Sequence, residues 1–244
     1  MSEIKVKTIE PSTGTNLTLG TSGDAISIAS DSLKLDTWKD SGGNTLWTSD
    51  GSGTLSSIDV GLKGGGPILL ATNTISTAVA SAEFTTLIDS TYDEYMFIFI
   101  NLAPVSAENK FTFQCSTDGG SSYNTSVTAV YFDAYHGEAG AGGVIAYSSG
   151  NSQGNGTNYQ ILTGNQGNDA DQNLGGELHL FSPASTTLMK LFRYWGNDCY
   201  FNDYTETNFV NGYFNTTSAI NAISFKFSGA NIAAGGKIKM YGIA

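Results

Sequence analysis

Arginine is nearly absent from this chain: Arg193 is the only one, and Lys plus Arg total 11 against 22 Asp plus Glu, for a net charge of −11. Binding to a phosphate backbone needs a cationic footprint, so nucleic acid is not an expected partner. Two cysteines, Cys115 and Cys199, are too few for the disulfide framework of a small secreted scaffold, and both are expected as reduced core residues. Histidine is as sparse. Any His-based catalytic arrangement must use His136 or His179, yet no nucleophile motif accompanies either, and His179 in GELHLFS reads as one member of a strand. The longest apolar run, 96–100, falls far short of the ~20 residues of a membrane helix. The polar, alternating opening MSEIKVKTIE predicts synthesis in the cytoplasm without a secretory leader.

Charged residues make up only 14% of the 244, while glycine numbers 30, well above the average of roughly 7%. Hydrophobic residues at 40% and aromatics at 11% rule out a disordered polar chain. Val, Ile, Phe and Tyr fall in short alternating runs separated by Gly, Asn, Asp and Ser, which predicts an all-β protein of many strands and tight turns.

Two regions follow from the spacing. Over residues 1–66 the strands are very short, with Ile4 and Val6, Leu17 and Leu19, Ile26 and Ile28, and Leu33 and Leu35 alternating between turn signals at 12–14, 21–24, 30–32, 41–44 and 49–53. Such strands cannot bury a core alone and would leave apolar edges open. Winding three identical chains about one axis removes those edges, so a homotrimeric β shaft is expected, with Trp38 and Trp47 as packing anchors. GLKGGGP at 61–67 marks the boundary.

From 67 to 244 the strands lengthen. About ten are expected, at 67–71, 84–88, 92–102, 110–116, 125–135, 144–148, 159–162, 177–181, 209–214, 222–227 and 237–243, in an antiparallel, jelly-roll-like β-sandwich. The segment 182–197 carries Leu188, Leu191, Phe192 and Trp195 at helical spacing, while its Thr and aromatic content fits a strand; both readings stand. Residues 137–143 and 149–156 are expected as long loops at one end of the sandwich.

Six stretches resemble structural proteins of tailed bacteriophages. PSTGTNLTLGTSGDAISIA at 11–29 and SGGNTLWTSDGSGTLSSI at 41–58 are similar to the short-strand shaft segments of tail-fibre and other appendage proteins, especially those of phages of marine bacteria. YDEYMFIFINLAP at 92–104 with FTFQCSTDGGSSYNT at 111–125, then GGELHLFSPASTT at 175–187 and ISFKFSGANIAAGGKIKMYGIA at 223–244, resemble in order and spacing the C-terminal β domains of such proteins. The resemblance implies a virion protein, made in the host cytoplasm, that forms a trimer. It would attach to other virion proteins through its N-terminal region and display its C-terminal domain for host attachment. It transfers no binding site residue by residue. A capsid-decorating fibre or cement protein, and a bacterial adhesin or carbohydrate-binding module, stay open beside it.

The candidate chemistry is thin, and neither an enzyme nor a cofactor is expected. Asp198, Asp203 and Glu206 near Tyr200 and Tyr204 are the best carboxylates for glycan hydrolysis, which would need two of them converging in an aromatic-lined groove. Asp169, Asp171, Asn173 and Glu177 in NDADQNLGGE loosely resemble a Ca²⁺ loop, but the glycine comes one position late and the twelfth position is not Glu; an ordinary polar loop is the other reading. Aromatic clustering points instead to binding. Trp195, Tyr200 and Tyr204 are the candidates for contact with a host-surface glycan, since sugar rings stack on rigid aromatic faces.

Overall fold

The computed structural model describes residues 37–39, 43–49, 55–56, 66–140 and 142–243, and the chain divides into two units, Met1–Leu62 and Lys63–Ala244. In the first unit β1 (Thr37–Lys39), β2 (Thr45–Ser49) and β3 (Leu55–Ser56) form an antiparallel sheet in that order. Trp38 pairs directly with Trp47 across β1 and β2, their rings stacked at 6.4 Å and 15°. A cross-strand aromatic pair of this kind is what steadies so short a hairpin. The expected shaft strands from Ile4 to Leu35, and most of the glycine-rich boundary, lie outside the described residues.

The second unit is all β. Its strands are β4 (Ile68–Thr74), β5 (Ala82–Phe84), β6 (Glu94–Leu102), β7 (Phe111–Ser116), β8 (Val127–Gly137), β9 (Val144–Tyr147), β10 (Gln153–Gly156), β11 (Gln160–Ile161), β12 (Leu174–Phe181), β13 (Lys190–Tyr200), β14 (Tyr204–Phe214), β15 (Ala222–Phe227) and β16 (Lys237–Ile243). Nine of them make one antiparallel sheet in the order β10-β8-β14-β13-β12-β6-β16-β4, with β9 also on β8; four make a second, β11-β7-β15-β5.

Strict alternation sets which face of each strand meets the core. On β6, Tyr95, Phe97 and Phe99 are buried while Met96 and Ile98 are only half-buried; on β13, Phe192 and Tyr194 point in while Leu191, Arg193 and Trp195 point out. Phe225 on β15 joins the layers. Its ring lies 5.4 and 5.1 Å from Phe97 and Phe99 of the larger sheet, and 6.0 and 6.3 Å from Phe111 and Phe113 beside it. The outer side of the smaller sheet is covered too: Gln114 donates to the carbonyls of Thr157 and Asn158, and Lys226 caps the Tyr159 ring at 4.1 Å. All six side chains of β7 are consequently buried.

Alternation also carries Lys190 inward, where its Nζ donates to the carbonyls of Leu188 at 2.8 Å and Thr216 at 3.1 Å. Further along the same face, Tyr194 lies across a pair of facing glycines, Gly176 and Gly196. A Cβ on Gly196 would sit 1.9 Å from the Tyr194 hydroxyl, so only glycine leaves room for that ring.

Several expectations change here. Residues 190–200 form β13, not a helix: the sheet buries Phe192 and Tyr194 and leaves Leu188, Leu191 and Trp195 in solvent, whereas a helix would have gathered the latter on its core face. The expected loop 149–156 contributes β10, which pairs with the edge of β8. TDGG at 117–120 carries the chain from one sheet to the other, since β7 and β8 do not pair. Both cysteines are free. Cys115 is buried as expected, but Cys199 sits at the outward-facing end of β13, half-exposed, where the hairpin leaves the core.

Candidate functional site

The larger sheet extends beyond the smaller one where β13 and β14 turn, and there its inner face carries polar rather than apolar side chains. Register places them side by side: Tyr200 opposite Tyr204, Asp198 opposite Glu206, Glu206 opposite Tyr135, and Asp133 opposite Asn208. The segment 162–167 is stitched over this end. Phe201 donates to Asn165 at 3.1 Å, Gly167 to Cys199 at 3.0 Å, and Gln166 exchanges backbone hydrogen bonds with residues 108–109. Gly164 lies against the Glu206 carboxylate, where a Cβ would come within 2.1 Å of Oε2.

Between these parts opens a cleft of about 410 Å³, walled by Tyr135, Tyr200 and Tyr204, by Asp133 and Glu206, and by Lys110, Asn151, Gly164, Asn165 and Asn202. Small-ligand sites span roughly 300–1,000 Å³. Tyr204 stands at a steep angle to both neighbours, 5.8 Å and 76° from Tyr135 and 6.4 Å and 87° from Tyr200.

The charge is concentrated in three carboxyls. Asp133 is 8% exposed and accepts no hydrogen bond from any described residue; burial pushes its carboxyl up. Glu206 is 6% exposed, its Oε1 lies 3.4 Å from the Tyr131 hydroxyl, and burial together with the nearby Asp133 charge pushes it up to about 7. Asp198 is sealed behind them. It accepts from Asn208 Nδ2 at 2.5 Å, Asn208 Oδ1 accepts in turn from Tyr131, and burial with the Glu206 charge holds Asp198 well above the carboxylate range.

Of the residues singled out from the sequence, Tyr200, Tyr204 and Glu206 come together in the cleft. Asp203 lies in the hairpin turn and accepts from Gln172. Trp195 does not join them: it stands on the opposite face of the sheet, 59% exposed, as one of four aromatics in a row across β9, β8, β14 and β13. Tyr147 pairs with Phe132, Phe132 with Phe209, and Phe209 with Trp195. Phe132 stacks on Phe209 at 4.9 Å and 12°, and Trp195 on Phe209 at 5.8 Å and 19°. Ile145, Val130 and Leu191 extend this outer apolar surface.

The histidines sit apart from the cleft. His179 is buried, its Nδ1 against Glu94 and its Nε2 3.3 Å from Glu177 without hydrogen-bond geometry, and His136 is exposed with Nδ1 3.0 Å from its neighbour's carbonyl. In the loosely Ca²⁺-like stretch, Asp169 and Asp171 lie in an exposed turn while Glu177 belongs to β12 beside His179. Among the described residues no group of three or more His, Cys, Asp or Glu is placed to hold a metal.

Asp133, Lys110, Asn151 and Asn165 were not singled out from sequence. For Asp133 a signal existed: in VTAVYFDAYHG it falls on the same parity as Val127, Ala129 and Tyr131, an acid at a core position. Compared with known protein families, characterised proteins and solved structures, the chain matches none.

Proposed function

We propose that this chain is a structural appendage protein of a bacteriophage particle. In this reading it acts as a homotrimer, meets other virion proteins through its N-terminal region, and displays the 67–244 unit for attachment to a host surface. The observation that carries the reading is the pair of strand orders. The orders β4-β16-β6-β12 and β5-β15-β7-β11 support this reading because they fit two interleaved Greek keys, as in a jelly roll, the architecture on which viral coat and lectin domains are built. β8, β9 and β10, inserted between β7 and β11, and β13 with β14, inserted between β12 and β15, extend one sheet. The resemblance at 11–29, 41–58 and the C-terminal stretches points the same way, and the function rests on that analogy together with the surfaces the extension carries.

The outer aromatic row supports self-association. Four aligned aromatics with Ile145 and Val130 beside them form an exposed, largely apolar row of the kind that marks an interaction face, and Arg193 separates Leu191 from Trp195. Static and dynamic light scattering on the purified full chain tests the assembly: a mass three times the 25.7 kDa of one chain is expected, and a monomer at micromolar concentration overturns the trimeric appendage.

A further inference from the structure

We propose that the cleft between the β13–β14 turn, β8 and the 162–167 segment is a binding site for an uncharged, hydroxyl-rich sugar ring, packed on Tyr204 and hydrogen-bonded by Asp133. This deepens the host-surface reading by naming the site and the class of glycan, and it rests on that reading only for its biological meaning.

The argument begins with Asp133. More than nine-tenths of its surface is buried, it accepts no hydrogen bond within the described protein, and its carboxylate faces the cleft. Its oxygens are open to the cleft rather than sealed, and a ligand that donates hydroxyl protons can take the place of solvent on them. Glu206 beside it offers a second carboxyl to the same ligand, and the Asn202 amide stands at the mouth. Tyr135, Tyr200 and Tyr204 are half-buried and line the cleft, with Tyr204 edge to face against both neighbours, so the apolar C–H side of a sugar would meet aromatic surface there. On the outer face Trp195 and Phe132 each turn a face to Phe209, and Glu177 is the residue paired opposite Trp195.

Charge narrows the class further. Two acidic groups in one low-dielectric cleft repel a sugar carrying a carboxylate or phosphate. The one cation in the wall, Lys110, already donates to Asn151 Oδ1 at 2.7 Å, and its presence also works against a cationic ligand.

The test is a titration of the purified full chain, followed by calorimetry and by two-dimensional NMR, with glucose, galactose and mannose as neutral probes, glucuronate as the anionic probe, and glucosamine and CaCl₂ as cationic ones. Saturable binding of at least one neutral hexose is expected, with amide shifts confined to 131–136 and 164–166 and 200–206. Asp133→Asn and Tyr204→Ala should each weaken it at least roughly tenfold, as for a lost hydrogen bond to a charged group. Trp195→Ala should leave it unchanged, and because each site is titrated singly the comparison does not depend on assembly. Asn202→Ala, on the exposed turn, serves as a further probe of the mouth should Asp133→Asn fail to fold, and should also weaken binding. No neutral sugar bound, a preference of tenfold or more for glucuronate, glucosamine or Ca²⁺, or loss of binding in Trp195→Ala alone would each overturn the proposal. None of these outcomes alters the light-scattering mass, so failure of the site is distinguishable from failure of the appendage reading.

Discussion

Replacing Glu206 by Gln should make the protein more stable, and only at neutral and alkaline pH. In the folded chain the Glu206 carboxyl is moved from its ordinary 4.5 to about 7, first by burial and then by the Asp133 charge. Below pH 4.5 the group is protonated in both folded and unfolded states and exerts no pull. Between 4.5 and about 7 the unfolded chain releases the proton while the folded chain holds it, so stability falls as pH rises through this window and levels off above it. Each pH unit of displacement is worth 1.36 kcal/mol, so the loss reaches about 3 kcal/mol. Gln has the shape of the protonated acid and cannot ionise, and Gly164 packs against it as it does against the native side chain. The difference between variant and wild type in denaturant or thermal unfolding should therefore be near zero at pH 4 and grow to about 3 kcal/mol at pH 8. For a domain of this size that corresponds to roughly 6–12 °C in Tm. Carboxylates remote from Glu206 titrate alike in both proteins and cancel in the difference, while relief of the Glu206 charge on Asp198 acts in the same direction. Two stability curves that run parallel from pH 4 to 8 would refute the buried, Asp133-coupled description of Glu206.

Three further outcomes follow from the packing. Phe225→Ala, at the junction of the two sheets, should cost about 3–5 kcal/mol by chemical denaturation; a loss below about 1 kcal/mol would mean that the Phe97, Phe99, Phe111 and Phe113 rings are not held together through it. Gly196→Ala should destabilise by about 1–3 kcal/mol because its Cβ collides with the buried Tyr194 hydroxyl, and unchanged stability would contradict that close approach. Asp118 anchors the crossing between sheets by accepting from Ser116 Oγ and Ser122 Oγ, each at 2.5 Å, and from the Ser122 amide at 2.9 Å, which holds its carboxyl down at about 2. Its contribution is therefore present above pH 3.8 and lost as pH falls through about 2, so hydrogen exchange at the Ser122 amide should accelerate over that range in wild type and show no such step in Asp118→Ala.

Much of the fold was legible in the chain because it is written locally. The run 92–102 and the stretch 222–227 alternate in the way half-buried strands must, and the glycine-rich punctuation between runs marks where the chain turns. Strand β13 was harder. Leu188, Leu191, Phe192 and Trp195 satisfy a helical period as well as a strand does, and only the presence of β12 and β14 on either side decides between them. Once β13 is a strand, the parity of its positions separates Trp195 from Tyr200, and with it from Tyr204 paired opposite. An aromatic cluster in sequence becomes two surfaces on opposite faces of one sheet.

The sequence by itself determined that this is an all-β protein, poor in cationic charge and rich in strands whose inward residues are aromatic. The tertiary structure alone decided that Asp133, Glu206, Tyr135, Tyr200 and Tyr204 share one cleft with Lys110 and Asn165. Alternation is a property of neighbouring residues and leaves its mark on any short stretch. Which strands lie side by side is settled by packing between segments up to about a hundred residues apart, and no local preference records that choice.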